Sequence, residues 1–150
     1  MKCPKVFVVS SLLIFCSALH AEESWSLNLH TFSHHFSERA HGKKWNETNP
    51  GLGLRRDFGN DFSIQAGFYK NSLSKWSTYA IAEYSPLSVG SFDAGLFAGI
   101  RTHYKKPVEF AGGALVRWRV TEHIEITGRL SPKTCSYCSG FVSAELGWKF

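Results

Sequence analysis

The chain has 150 residues, 17 Lys and Arg against 12 Asp and Glu for a net charge of +5, and 43% hydrophobic residues. That length makes one domain, and mild charge without any Lys/Arg run excludes a nucleic-acid partner. Beyond the first 21 residues no apolar stretch reaches the ~18 residues of a membrane helix, so a membrane-embedded form must be a closed barrel.

Residues 1–21 carry a basic start (Lys2, Lys5), an apolar run over 6–15 and small residues around Ser17 to Ala21. This is the plan of a secretory signal peptide, with cleavage expected after Ala21, or after Ala18 as second choice. Lipid attachment at Cys16 is disfavoured by the bulky Phe15 before it. Residues 22–150 then form the mature domain, with 15 basic against 12 acidic residues and a net charge of +3.

Eight segments with period-two alternation follow, at 24–36, 50–58, 62–70, 76–85, 91–103, 108–120, 123–130 and 141–150. Short turns at Gly59-Asn60-Asp61, Pro86-Leu87-Ser88 and Thr121-Glu122 alternate with longer connections at 37–49, 71–75, 102–107 and 131–140. An eight-stranded up-and-down β-barrel with tight periplasmic turns, larger outer loops and both termini in the periplasm is the expected all-β fold.

The faces sort by parity. Trp25, Leu27 and Leu29, then Phe92, Leu96 and Ile100, then Val116 and Trp118, then Ile126 and Leu130, then Leu146, Trp148 and Phe150 share the apolar side. Their neighbours include Asn28, His30, Arg117, Glu125, Arg129, Glu145 and Lys149, unlike charges able to pair within a narrow wall. A soluble binding barrel would turn the apolar set inward. Internal charge pairing, and Trp25, Trp118 and Trp148 near strand ends, favour the membrane version. The fourth strand is ambiguous, since Trp76, Ala80 and Tyr84 compete with Tyr79 and Ile81 for the lipid side.

Gly67, Gly95, Gly99 and Gly113 fall on inward positions, where they could leave a slot or simply permit tight curvature. Arg101 and Arg129, inward near the outer ends, could block such a slot. Cys135 and Cys138, in the last outer loop, are expected to close one local disulfide in an oxidising envelope. Two thiols cannot complete a structural zinc site.

Trp45-Asn46-Glu47-Thr48-Asn49-Pro50-Gly51-Leu52-Gly53-Leu54, the stretch from Gly67 to Trp76, Ala98-Gly99-Ile100, Arg129-Leu130-Ser131-Pro132 and the final aromatic strand stand in collinear order. In this the chain resembles the outer-membrane lipid A palmitoyltransferase (PagP) family over nearly its whole mature length. The resemblance implies a barrel in the bacterial outer membrane, working as a monomer without cofactor or metal. Its partners would be phospholipid, the palmitoyl donor, and lipid A, the acceptor.

The family uses a His, an Asp and a Ser near the outer rim. Ser72 matches the Ser, and His35 is matched to the His, with His34 as the alternative. Asn71 stands where the family has Asp, and an amide cannot act as the carboxylate that orients an imidazole. A Ser hydroxyl attacks an ester only when a base takes its proton, the part a His would play. The bland reading makes Asn71-Ser72 a polar turn and the His pair a solvated loop. The family's amphipathic helix before the first strand has no counterpart here.

Two other functions compete with transfer. One is a non-catalytic envelope barrel, bacterial or phage-borne, that changes surface properties. The other is a lipid A deacylase-like esterase, suggested by His35, Ser37 and Glu47, although that family carries its group late in the chain.

Overall fold

The structure, a computed structural model, describes residues 23–37, 44–133 and 139–150. The proposed signal peptide and the Cys135–Cys138 disulfide lie outside the described residues. Eight strands, β1 (Ser24–His35), β2 (Thr48–Asp57), β3 (Phe62–Lys70), β4 (Trp76–Val89), β5 (Phe92–Thr102), β6 (Val108–Arg119), β7 (Ile124–Ser131) and β8 (Phe141–Lys149), follow one another around a closed barrel. Every neighbouring pair is antiparallel, and β1 closes the wall against β8, with Leu27 opposite Trp148 and His30 opposite Glu145. The all-β, eight-stranded meander expected from the alternation is the fold observed.

The wall is inside-out relative to a soluble protein. Leu27, Leu29, Leu54, Ile64, Leu96, Val116, Ile126 and Leu146 are exposed on its outer surface, whereas Ser26, Asn28, Arg55, Gln65, Glu83, Thr127 and Glu145 are buried within. The buried apolar cluster is small: Tyr79, Ile81, Phe97 and Leu115, with Tyr69 packed against it. In water such a molecule would leave its largest apolar area unburied. In a bilayer the same surface is solvated by lipid, and closure leaves no strand edge with unpaired backbone groups.

The structure resolves the ambiguous fourth strand and corrects its length. Tyr79 and Ile81 point inward, and Trp76 and Tyr84 face out. Pro86-Leu87-Ser88, expected as a turn, lies inside β4, which runs on to Val89; the chain reverses at Gly90 and Ser91. The register with β5 shifts between Tyr84 and Leu87. A bulge there accommodates Pro86, which has no N–H for the ladder. Strand β2 begins earlier than expected, at Thr48.

A second bulge lies in β1 between His30 and Phe32. Below it Ser24, Ser26 and Asn28 are buried; above it the buried residue is Ser33. The extra residue therefore moves the inward face from even to odd numbers. His35 comes half-buried, and His34 stays exposed.

The inward glycines bring strands together. A Cβ on Gly113 would meet the Leu130 carbonyl, and one on Gly67 the Leu52 carbonyl; Gly95 and Gly99 meet the backbone of β4 in the same way. Close approach is thus their role, and none of the four lines the cavity described below.

Candidate functional site

The interior is layered along the barrel axis. At the end carrying both termini, a polar vestibule of about 430 Å³ is lined by acids and bases including Asp57, Asp93, Glu125, Arg119 and Lys149. Its floor is an ion-pair lattice. Arg55 Nη1 lies 2.5 Å from Glu125, Arg117 donates to Glu83 at 2.5 Å, and Arg129 donates to Glu83 and, at 2.7 Å, to Glu145. Gln65 completes it, accepting from Arg129 at 3.0 Å and donating to Glu145 at 3.2 Å. Buried charges persist where they are paired and hydrogen-bonded, and this lattice fills the narrow bore.

Beyond that plug, at the end with the longer loops, lies a cavity of about 80 Å³. Tyr69, Tyr79, Ile81, Phe97, Tyr104 and Phe141 give it an apolar lining, and His30, Ser33, Asn49, Ser72, Arg101 and Ser143 add polar groups. A half-open, mostly apolar space with a few convergent polar groups is the usual form of a small-molecule or acyl site.

Ser72, one of the residues picked out by sequence, is in this wall and buried; its carbonyl accepts from the Asn46 N–H at 3.0 Å. Asn71 beside it is fully buried and committed to the turn between β3 and β4. Its Nδ2 donates to Ser77 Oγ at 2.8 Å and to the His103 carbonyl at 3.0 Å. Its Oδ1 accepts from the N–H groups of Leu73 at 2.9 Å and Lys75 at 3.0 Å. An Asp could supply only the acceptor half of that set.

His34 and His35, expected in a loop, are the last two residues of β1. His34 pairs with Glu47 at 2.9 Å on the exposed rim. His35 packs its ring against Trp45, 4.5 Å between centroids, and Phe141, 5.4 Å, with its buried Nδ1 lacking a hydrogen-bond partner. Among the described residues no hydrogen bond joins either to Ser72. Phe141, which lines the cavity, is the ring that connects His35 with it.

The imidazole that does enter the cavity is His30. Its Nε2 is 2.7 Å from the Tyr79 hydroxyl, and its Nδ1 lies 3.4 Å from Glu145. Tyr79 in turn accepts from Gln65 at 2.7 Å. In the sequence His30 stands only among the inward polar residues, outside the motifs that single out Ser72 and His35. The signal was its polar parity together with Glu145 on the last strand, because closing the barrel sets these two residues opposite each other.

No known family model matches the chain, and no curated protein matches it. The resemblance to the palmitoyltransferase family therefore rests on the motifs alone. Among solved structures the chain is similar to the de novo designed TMB2.3, with a TM-score of 0.60, 12% identity and coverage of 85% of this chain and 95% of that one. It also matches the outer membrane protein Ail of Yersinia pestis, determined in a phospholipid bilayer nanodisc, with a TM-score of 0.46, 13% identity and coverage of 86% and 100%. The outer membrane protein OprG of Pseudomonas aeruginosa matches with a TM-score of 0.34, 11% identity and coverage of 85% and 94%. At such identity the likeness to TMB2.3 is one of fold. Closed wall, apolar exterior and charged interior make this chain a small transmembrane β-barrel of the outer-membrane type.

Proposed function

We propose that this barrel, sitting in the outer membrane with its longer loops outward, takes an acyl chain of an outer-leaflet lipid into the aromatic cavity and transfers it, as the PagP-like motifs imply, from phospholipid to lipid A. The observation that carries this reading is the position of Ser72: a buried serine in the wall of an apolar cavity at the loop end. There the Ser72 Oγ would attack the ester carbonyl while a base takes its proton, and the departing lysophospholipid oxygen would take a proton in return. A lipid A hydroxyl would then accept the acyl group and release Ser72. His35, the last residue of β1, with an unpartnered ring nitrogen, is the histidine suited to the proton transfer once Phe141 gives way.

A second reading, a non-catalytic envelope barrel, is favoured by Asn71, whose amide is spent on the turn. Incorporation of labelled palmitate into lipid A separates the two. Transfer by the natural chain that is lost in Ser72→Ala supports the enzyme; transfer by neither protein removes it. Release of free acid without transfer identifies the esterase.

A further inference from the structure

Among the described residues, Arg101 is the arginine without a carboxylate in hydrogen-bonding contact. Each of the other described arginines has a carboxylate oxygen at 3.3 Å or closer: Arg55, Arg56, Arg117, Arg119 and Arg129. The nearest to Arg101 is Glu109 at 3.7 Å, and the other oxygen of Glu109 already accepts the backbone N–H groups of Lys105 at 3.1 Å and Lys106 at 3.2 Å. The guanidinium is mostly buried, its Nε has no hydrogen-bond partner, and it lines the cavity. Tyr104 holds it in place, its ring centroid 3.9 Å from the guanidinium carbon.

Around it the polar groups converge. The Tyr69 and Tyr104 hydroxyls are 2.9 Å apart, and both residues line the cavity beside Arg101. Beneath these groups the cavity turns apolar, with Ile81 and Phe97. Arg129 on its floor offers nothing comparable, since Glu83 and Glu145 saturate it.

We propose that the cavity is a binding site for a single-chain carboxylate amphiphile, a fatty acid, with its head on Arg101 and the two tyrosine hydroxyls and the first part of its tail on Ile81 and Phe97. Paired N–H groups of a guanidinium match the two oxygens of a carboxylate, a geometry that a lysine ammonium lacks. A cavity of about 80 Å³ holds the segment next to the head. Its lining also includes Phe32 and Ile100, both half-exposed on the outer wall, which leads the rest of the tail toward lipid. The inference uses the same cavity as the proposed transferase but needs neither Ser72 nor a transfer step.

The test is a titration of laurate, ¹³C-labelled at its carboxyl, into the full barrel in phosphatidylcholine nanodiscs, against empty nanodiscs. A saturable carboxyl resonance at one laurate per barrel is expected, weakened at least tenfold in Arg101→Gln and only partly in Arg101→Lys. Dodecanol, with the same tail and no charge, should fail to displace laurate from the natural chain, a measurement that needs no variant to fold. Absence of a saturable component, displacement by dodecanol at equal concentration, or undiminished binding by a folded Arg101→Gln barrel each overturns the proposal. No lipid A is present, so laurate binding that survives in Ser72→Ala separates this site from the fate of the transfer reaction.

Discussion

Asn71 donates a hydrogen bond from its side-chain amide to the hydroxyl of Ser77, 2.8 Å away and across the turn that joins β3 to β4. The bond ties the amide identity of residue 71 to the shape of the loop end. Asn71→Asp, which restores the residue of the family that the motifs resemble, removes two donors and sets a carboxylate against the His103 carbonyl. Losing buried donors costs about 1–3 kcal/mol each at most. The variant should unfold at lower denaturant concentration than the natural chain and gain no transfer of labelled palmitate. A stable Asn71→Asp barrel with higher transfer would show residue 71 to be a weakened catalytic position.

Leu96 is 65% exposed on the outer wall of β5. If lipid surrounds it, Leu96→Arg should cost about 2–4 kcal/mol near mid-membrane, read from denaturant unfolding out of lipid vesicles. On a soluble barrel the same change would be neutral. A folded, water-soluble Leu96→Arg protein stable without lipid or detergent would therefore contradict the membrane assignment.

Arg129 is the arginine that pairs with Glu145, whereas Glu83 also has Arg117. Arg129→Met leaves Glu145 buried without its guanidinium partner, a loss of roughly 3–5 kcal/mol. Adding Glu145→Gln to Arg129→Met should restore part of that loss. The four proteins of this double-mutant cycle, compared by urea unfolding, give the coupling directly, and simple additivity would mean that the pair does not act as a unit.

Gly113 packs where a Cβ would strike the Leu130 carbonyl of β7. Gly113→Ala must push β6 from β7 and should cost about 1–3 kcal/mol, as overpacking does. Gly90, at φ +60° with nothing near its missing Cβ, tests a different cause. Gly90→Ala should cost about 1 kcal/mol through backbone conformation alone, and Gly90→Asn less, since Asn tolerates the left-handed region. Equal losses for Ala and Asn at residue 90 would count against this account.

Much of the barrel was legible in the order of residues, for a physical reason. A strand between lipid and a polar core must alternate, so Leu27, Leu29, Leu96, Val116 and Leu146 announce their side without knowledge of their neighbours. What alternation does not carry is any event that changes its phase or its length. Pro86 reads as a turn residue in isolation, yet a bulge lets β4 run through it. The site was less legible. Ser72 was found by its motif and lies in the cavity wall, but His30, Tyr79 and Glu145 come from three strands, and only the closure of β1 on β8 sets His30 against Glu145. Likewise Arg101 reads as an obstruction by parity, because its unsatisfied edge depends on where Glu109 spends its oxygens.

The bulge between His30 and Phe32 means that β1 is two half-strands joined out of step. Were Thr31 kept in a regular ladder, alternation from Asn28 would turn Ser33 and His35 out toward lipid and His34 inward, whereas removing Thr31 would leave all three on their present faces. One unpaired backbone unit thus selects which of two adjacent imidazoles looks into the protein and which looks out at the world.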